Sequence, residues 1–326
     1  MRAHKVDTGS ETPSGDTPAR RLRALISLAG LSVGDAFGEQ FFGPEDLIAE
    51  RISERSIPPP VWPYTDDTAM TLSVVDVLMR FGRIDQDALA AALVERHEEE
   101  PDRGYGAGVR QLLRAASDGA AWRDVAAAAF GGRGSHGNGA AMRVAPIGAW
   151  FADDINRAVA EARASAEVTH THEEAVAGAV AVALAAAYAV LACLQPEAVG
   201  NTSLLAFVET HIPPGETRHG IRKALAMPEH TSVAHAANVL GSGHRISAAD
   251  TVPFALWCAA RHLGNYEEAL WTTVSGLGDR DTTCAIVGGI VVLRTGMEAI
   301  PERWLHAREK LEHRYNPALG DDEAFQ

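Results

Sequence analysis

Two short runs in this 326-residue chain gather enough hard oxygen donors to do chemistry: Thr65-Asp66-Asp67-Thr68 and, far along the chain, Asp279-Arg280-Asp281-Thr282. Each stands at the mouth of a strongly apolar stretch. Behind the first, Met70, Val74, Val77, Leu78 and Phe81 recur at helical spacing and Gly82 supplies a stop. Behind the second, Cys284 to Val291 is apolar on every helical face. Asp and Thr at a helix start can accept bonds from the free N–H groups of the first turn, and carboxylates suit the positive end of the helix dipole, so either run alone has a capping explanation. Together they admit another. Carboxylate and hydroxyl oxygens are the ligands that Mg²⁺ and Mn²⁺ prefer, and two such helix starts face to face would hold one ion and place a second close by. Paired ions polarise a leaving oxygen and acidify a bound water, so the expected activity is divalent-metal-dependent hydrolysis.

A third feature is the glycine-rich run Gly131-Gly132-Arg133-Gly134-Ser135-His136-Gly137-Asn138-Gly139, followed by Ala140-Ala141-Met142-Arg143. A glycine turn entering a helix exposes backbone N–H groups that can cradle a phosphate, with Arg143 adding charge. It is neither a P-loop nor a dinucleotide fingerprint, since no Lys-Ser or Lys-Thr follows the last glycine and no strand precedes the run. Thr169-His170-Thr171-His172 lacks a third soft ligand at a useful spacing, which favours an N-capping region with a bonded histidine over zinc.

The elements that must position these groups read as helices. Alanine-rich apolar runs at 88–94, 125–130 and 175–194 are separated by short Gly, Pro, Ser and Asp stretches, and few segments alternate as a strand would. The expectation is an all-α chain: one compact orthogonal multi-helix domain over 21–318 around a buried Ala-rich central helix. Residues 1–20 read as a disordered N-terminal tail and 319–326 as a C-terminal tail. Residues 175–194 are long enough to span a bilayer, but they are half alanine and preceded by Glu173 and Glu174, which favours a buried helix. The charge is -14, from 29 Lys and Arg against 43 Asp and Glu, with no basic run, which argues against nucleic-acid binding. Cys193, Cys258 and Cys284 are widely spaced in apolar surroundings and read as reduced core thiols of a cytoplasmic protein.

In order and spacing, Gly34-Asp35-Ala36-Phe37-Gly38, Thr65-Asp66-Asp67-Thr68, Arg103-Gly104-Tyr105-Gly106, Gly137-Asn138-Gly139 with Met142-Arg143 and Pro146, Thr169-His170 and Gly278-Asp279-Arg280-Asp281-Thr282 resemble the ADP-ribosylglycohydrolases, over about residues 24–297. The resemblance implies a binuclear Mg²⁺ or Mn²⁺ centre held by Thr65, Asp66, Asp67, Asp279, Asp281 and Thr282, acting on ADP-ribosylated protein or a small ADP-ribose conjugate; a monomer is the expected state. It implies that ADP-ribose lies across the ions with its pyrophosphate near Gly137, Asn138 and Gly139. Asp35, Tyr105, Gly106, Met142, Arg143 and His170 are then substrate-side residues, Asp35 in a supporting role, while Asp66 and Asp67 serve catalysis. Members often carry a glutamate where Phe42 stands here, so Glu39, with Glu45 nearby, and Asp102 are the candidates for activating water. Leu277 stands where a second glycine is common. Two other functions fit the same residues: an ADP-ribose-binding protein with weak or no hydrolysis, and a metal-dependent nucleotide phosphohydrolase.

Overall fold

A computed structural model describes residues 17–317, the side chain of Glu45 excepted. Most of the expected N-terminal tail and all of the C-terminal one lie outside the described residues. The N-terminal boundary is corrected, because the first helix starts at Thr17, ahead of residue 21, and Arg20 there pairs with Asp153 at 2.6 Å.

The described residues form helices joined by short loops, with no strand beyond two isolated bridges. In chain order they are α1 (Thr17–Glu39), α2 (Glu45–Glu54), α3 (Asp66–Phe81), α4 (Gln86–Glu99), α5 (Ala107–Ser117), α6 (Trp122–Gly132), α7 (Ala145–Trp150), α8 (Ile155–Glu167) and α9 (Glu173–Leu194). They continue as α10 (Pro196–Val199), α11 (Leu204–His211), α12 (Glu216–Leu225), α13 (Val233–Leu240), α14 (Ala248–Arg261), α15 (Tyr266–Val274), α16 (Arg280–Thr295) and α17 (Glu302–Ala307). The all-α expectation is met, and α3 ends where the sequence places its stop, with Gly82 left-handed at φ 64°.

The central pair is α1 against α16. Gly30, Gly34 and Gly38 repeat every fourth residue on α1, and a Cβ on them would lie 2.5, 2.1 and 2.3 Å from the carbonyl oxygens of Gly288, Cys284 and Arg280 on α16. Only hydrogens fit in that space, so the two backbones touch. Ser27 Oγ and Tyr266 OH seal the seam, donating to the carbonyls of Gly289 and Gly30 at 2.8 and 2.6 Å. Ala-rich α9 plays a similar part at the centre. Its small side chains let α7 approach until a Cβ on Gly148 would lie 1.9 Å from the carbonyl of Ala183. Of its most apolar window 83% is buried inside the molecule, as expected for a core helix. Cys258 and Cys284 are also buried, whereas Cys193 is exposed near the end of α9, a correction to its reading as a core thiol.

At the C-terminal end of α1, Phe37 stacks on Trp304 at 4.4 Å and meets Trp271 and Trp62 edge-on at 5.0 and 5.9 Å. The segment after α17 then straps the loop ahead of α3: Trp62 N donates to Ala307 O and Glu309 N to Trp62 O. Glu309 also takes a two-pronged salt bridge from Arg103 at 2.7 and 2.8 Å.

Gly34→Val should lower the unfolding free energy by about 3 kcal/mol, because backbone rather than a flexible side chain fills the space. Gly264→Ala, with nothing within 4 Å of its Cβ, should leave it within about 0.5 kcal/mol, both read by urea denaturation.

Candidate active site

The first acidic cluster is set by its own helix cap and by α1 beneath it. Thr65 is the N-cap of α3, its hydroxyl accepting from Asp67 N at 3.3 Å. Asp35, fully buried in α1, accepts from the amides of Thr65 and Thr68 and from both threonine hydroxyls. Its carboxylate is spent on that clamp, so it supports the site and does not face substrate. Burial pushes its pKa up, partly countered by these four donors. Asp66 is tied from the other side, its N–H donating to Arg103 O at 2.7 Å. Arg103 is itself held by Glu100 and Glu309 and lies over the ring of Tyr64 at 3.8 Å.

The second cluster opens α16. Asp279 stands at the N-cap but makes no side-chain cap bond; its Oδ2 accepts from Asn138 Nδ2 at 2.6 Å. The capping explanation thus holds for Thr65 and fails for Asp279. The two helix starts meet, with Thr282 Oγ1 donating to Asp67 Oδ2 at 3.3 Å across 215 residues of chain. Leu277, in the place of the common glycine, has a left-handed φ of 57°, which explains a preference for glycine there.

Five aspartates, Asp35, Asp66, Asp67, Asp279 and Asp281, therefore crowd one place. Burial, then Asp281 and Asp35, holds the pKa of Asp67 well above the usual carboxylate range, and burial, then Asp279 and Asp35, does the same for Asp281. Asp66 is raised to about 7, chiefly by burial and then by Asp35 and Asp279. Asp67 Oδ1 and Asp281 Oδ1 are buried with no hydrogen-bond partner. Buried carboxylate oxygens are rarely left so, and an oxygen-seeking cation is what would satisfy them. Among the described residues no three Asp, Glu, His or Cys side chains are gathered closely enough to hold an ion by themselves, so a bound cation would need the threonine hydroxyls as well.

Above the clusters lies a cleft of about 390 Å³. Asp66, Asp279, Asp281 and Thr282 form its acidic end, while Gly104, Gly106, Ser135, Gly137, Asn138, Gly139, Met142 and His170 line its length. The glycine run leads not into an α-helix but into a single 3₁₀ turn, Asn138–Ala140. Gly137 and Gly139 leave room for His170, whose ring would lie 3.1 Å from a Cβ on either. His170 bonds Thr169 Oγ1 through Nδ1 at 2.7 Å, and burial, then Arg143 and His136, lowers its pKa to about 3, so it is neutral. His172 caps α9 through Nδ1, as the Thr-His run suggests.

Several expected residues lie elsewhere. Arg143 is fully buried behind the loop, donating to the carbonyls of Gly139 and Ser165 and to Thr169 Oγ1, so it braces the wall and cannot reach a phosphate. Burial lowers its pKa to about 9. Tyr105 turns inward against His97 with its hydroxyl unpaired, and only its flanking glycines reach the cleft. Asp102 is exposed, and neither it nor Glu39 is among the residues that line the cleft. Glu39 flanks the second cluster, since Gly38 packs directly on Arg280 and Asp281, and burial, then Asp35 and Asp279, raises its pKa. Phe42 presents its ring to Arg280, whose guanidinium carbon lies 5.0 Å from the centroid. The sequence reading did not assign to the site Phe130 and His136, tilted rings 5.4 Å apart that line the cleft, or Arg245 with Ile246 on the turn that bridges to Gly137. The one available signal was the position of Phe130 immediately before the glycine run.

Asp35→Ala leaves the buried N–H groups of Thr65 and Thr68 without an acceptor and should cost about 2 kcal/mol of stability by urea denaturation. A carboxyl whose folded pKa is raised binds its proton more tightly folded than unfolded, so its ionisation erodes stability as pH rises above the unfolded value near 3.8. In EDTA, Asp281→Asn should therefore be at least as stable as the parent at pH 7, with the difference shrinking towards pH 4. A parent that outlasts the variant throughout that range would contradict this account of the crowding.

A family profile described as ADP-ribosylglycohydrolase matches residues 16–323. The ADP-ribosylhydrolase ARH3 of Mus musculus is 30% identical over 331 residues, covering 87% of each chain. That of Bos taurus is 30% identical over 279 residues, covering 76% of this chain and 75% of its own length. The ADP-ribosylarginine hydrolase Tri1 of Serratia proteamaculans is 24% identical, covering 87% of this chain and 74% of its own. A solved structure of an ADP-ribosylglycohydrolase-related protein complex superposes with a TM-score of 0.63 and 27% identity over 89% of this chain and 93% of that one. With the paired acidic helix starts in the order and place described above, the chain belongs to the ADP-ribosylglycohydrolase family of hydrolytic enzymes.

Proposed function

We propose that this protein removes ADP-ribose from a modified amino-acid side chain, or from a related small conjugate, by cleaving the bond at the ribose anomeric carbon with water as acceptor. The observation that carries the reading is the meeting of the two acidic helix starts at one end of a cleft whose long wall is a glycine-rich turn. That shape suits a ligand with a diol at one end and a pyrophosphate further along. The names of the relatives, ADP-ribosylhydrolase and ADP-ribosylarginine hydrolase, support the same substrate class.

Thr65, Asp66, Asp67, Asp279, Asp281 and Thr282 fit a pair of divalent cations, Mg²⁺ or Mn²⁺, through the unpartnered Asp67 Oδ1 and Asp281 Oδ1 and the hydroxyls beside them. When bound, such ions supply positive charge that fixes the ribose hydroxyls and acidifies water. The chain's own residues do the rest. Ser135, Gly137 and Gly139 offer small, close-approaching surface to the phosphates, and neutral His170 lines the same wall without repelling its neighbour Arg143. Phe130 and His136 give adenine two ring faces. Asp66 and Asp279 sit where positive charge grows on the anomeric carbon as the bond breaks, and stabilise it. Glu39, flanking the second cluster, takes the proton of the attacking water and passes it to the departing side-chain atom, so that ADP-ribose and the unmodified side chain leave neutralised at that bond.

With Mg²⁺ or Mn²⁺ present, the protein should release intact ADP-ribose from ADP-ribosylarginine or ADP-ribosylserine peptides. Asp66→Ala and Asp281→Ala should each lower turnover by at least about a hundredfold while the circular dichroism stays helical. Glu39→Gln should lower kcat, and Asp102→Asn should not. Tight ADP-ribose binding with no release from any linkage would identify a binding protein instead, and AMP or phosphate as product would identify a nucleotide phosphohydrolase.

A further inference from the structure

The reading above leaves a charge unaccounted for. A pyrophosphate brings negative charge into a cleft that already holds Asp66, Asp279 and Asp281, in a chain of net charge -14. Like charges in a partly desolvated site repel strongly unless a cation intervenes. Ions at the acidic end offset the aspartates there, while the phosphates lie further along the wall. Arg143 is sealed behind that wall, and Arg133 turns its Nε back onto the carbonyl of Phe130. Among the described residues that line the cleft, Arg245 is the one Lys or Arg.

Its surroundings suit the task. The backbone of the turn is pinned: Arg245 N donates to Asp250 Oδ2 at 2.9 Å, Gly243 N to Asp250 O, and Asp279 N to Ser242 O. A Cβ on Gly243 would lie 2.3 Å from Asp279 Cβ, so the turn rests directly on the second acidic cluster. Ala248 N donates to His136 O, which joins the turn to the glycine-rich wall. Ile246 is held left-handed at φ 52°, a conformation that β-branched residues rarely adopt, and is 62% exposed. The Arg245 side chain, by contrast, is 85% exposed, and its nearest carboxylate, on Asp250, is 4.0 Å away. A fixed backbone thus presents a guanidinium held only by one long ion pair at the cleft, beside Gly137, which bridges to Ser247.

We infer that Arg245 is a pyrophosphate-binding residue, reaching the phosphates from the turn that pairs with the glycine-rich wall. This rests on the proposed ADP-ribose chemistry. The fork of guanidinium donors matches phosphate oxygens, and because the pair forms at the cleft mouth its strength depends on ionic strength. Arg245 therefore makes the site selective for diphosphate-bearing ligands and steepens its salt dependence.

The test is calorimetric titration of ADP-ribose into Mg²⁺-loaded protein over a series of NaCl concentrations, with Arg245→Gln and Arg245→Lys beside the parent. Arg245→Gln should bind about tenfold more weakly at low salt and with a flatter salt dependence, and Arg245→Lys should recover most of both. Thermal unfolding should be unchanged in both variants, as expected for an exposed side chain. Arg245→Gln binding as tightly and with the same salt slope as the parent overturns this inference alone, as does Arg245→Lys binding no better than Arg245→Gln. A parent that fails to bind ADP-ribose overturns the reading beneath it.

Discussion

Two backbones in contact, α1 and α16 along Gly30, Gly34 and Gly38, fix the position of almost everything that matters in this molecule. A single methyl at any of the three would push the helices apart, because carbonyl oxygens occupy the space. The contact places the end of α1 against the start of α16, so Asp35 reaches under the first acidic cluster while Gly38 abuts the second. One helix thereby indexes both halves of the site. The aromatic group of Phe37, Trp62, Trp271 and Trp304 locks that end in place.

The electrostatic arrangement works against the fold. Carboxyl groups are brought together with little cationic relief, and two of their oxygens are left without partners. Structures that hold such groups do so by over-determining them from outside, and that is visible here. Asp35 receives four donors, Asp66 is tied to a segment anchored by Arg103, and Asp279 is gripped by Asn138. Asn138 in turn bonds Thr251, which links the glycine-rich wall, α14 and the second cluster into one frame. The strain of the site is local, and its supports reach into most of the helices around it.

Much of this was legible from residue types and spacing. Helix starts, the Gly82 stop and the central burial of α9 follow from periodicity and capping chemistry, which are local. The convergence of the two clusters was readable only as a pairing of motifs, since no local rule says that residue 67 meets residue 282. Directions of side chains were not legible. Arg143, Tyr105 and Asp102 belong to segments that do form the wall or its support, yet one turns inward to brace carbonyls, one packs on His97 and one faces outward. Arg245 and Ile246 escaped notice for the opposite reason. They lie in an irregular turn with no motif, and their importance comes from what that turn leans on.

The strap formed by the last described segment has a consequence for how the protein is made. The loop ahead of α3 is held by Ala307 and Glu309, and α1 by a helix that ends at Thr295. Chains are synthesised from the N-terminus at about 5–20 residues per second, so α1 and the first cluster, which already hold each other through Asp35, exist for many seconds before α16 and the strap. During that interval the glycine face of α1 lacks α16 to pack on, and Asp66 and Asp67 lack the second cluster. The two halves of the site can therefore meet only after residue 282 has been made, when α16 packs along α1.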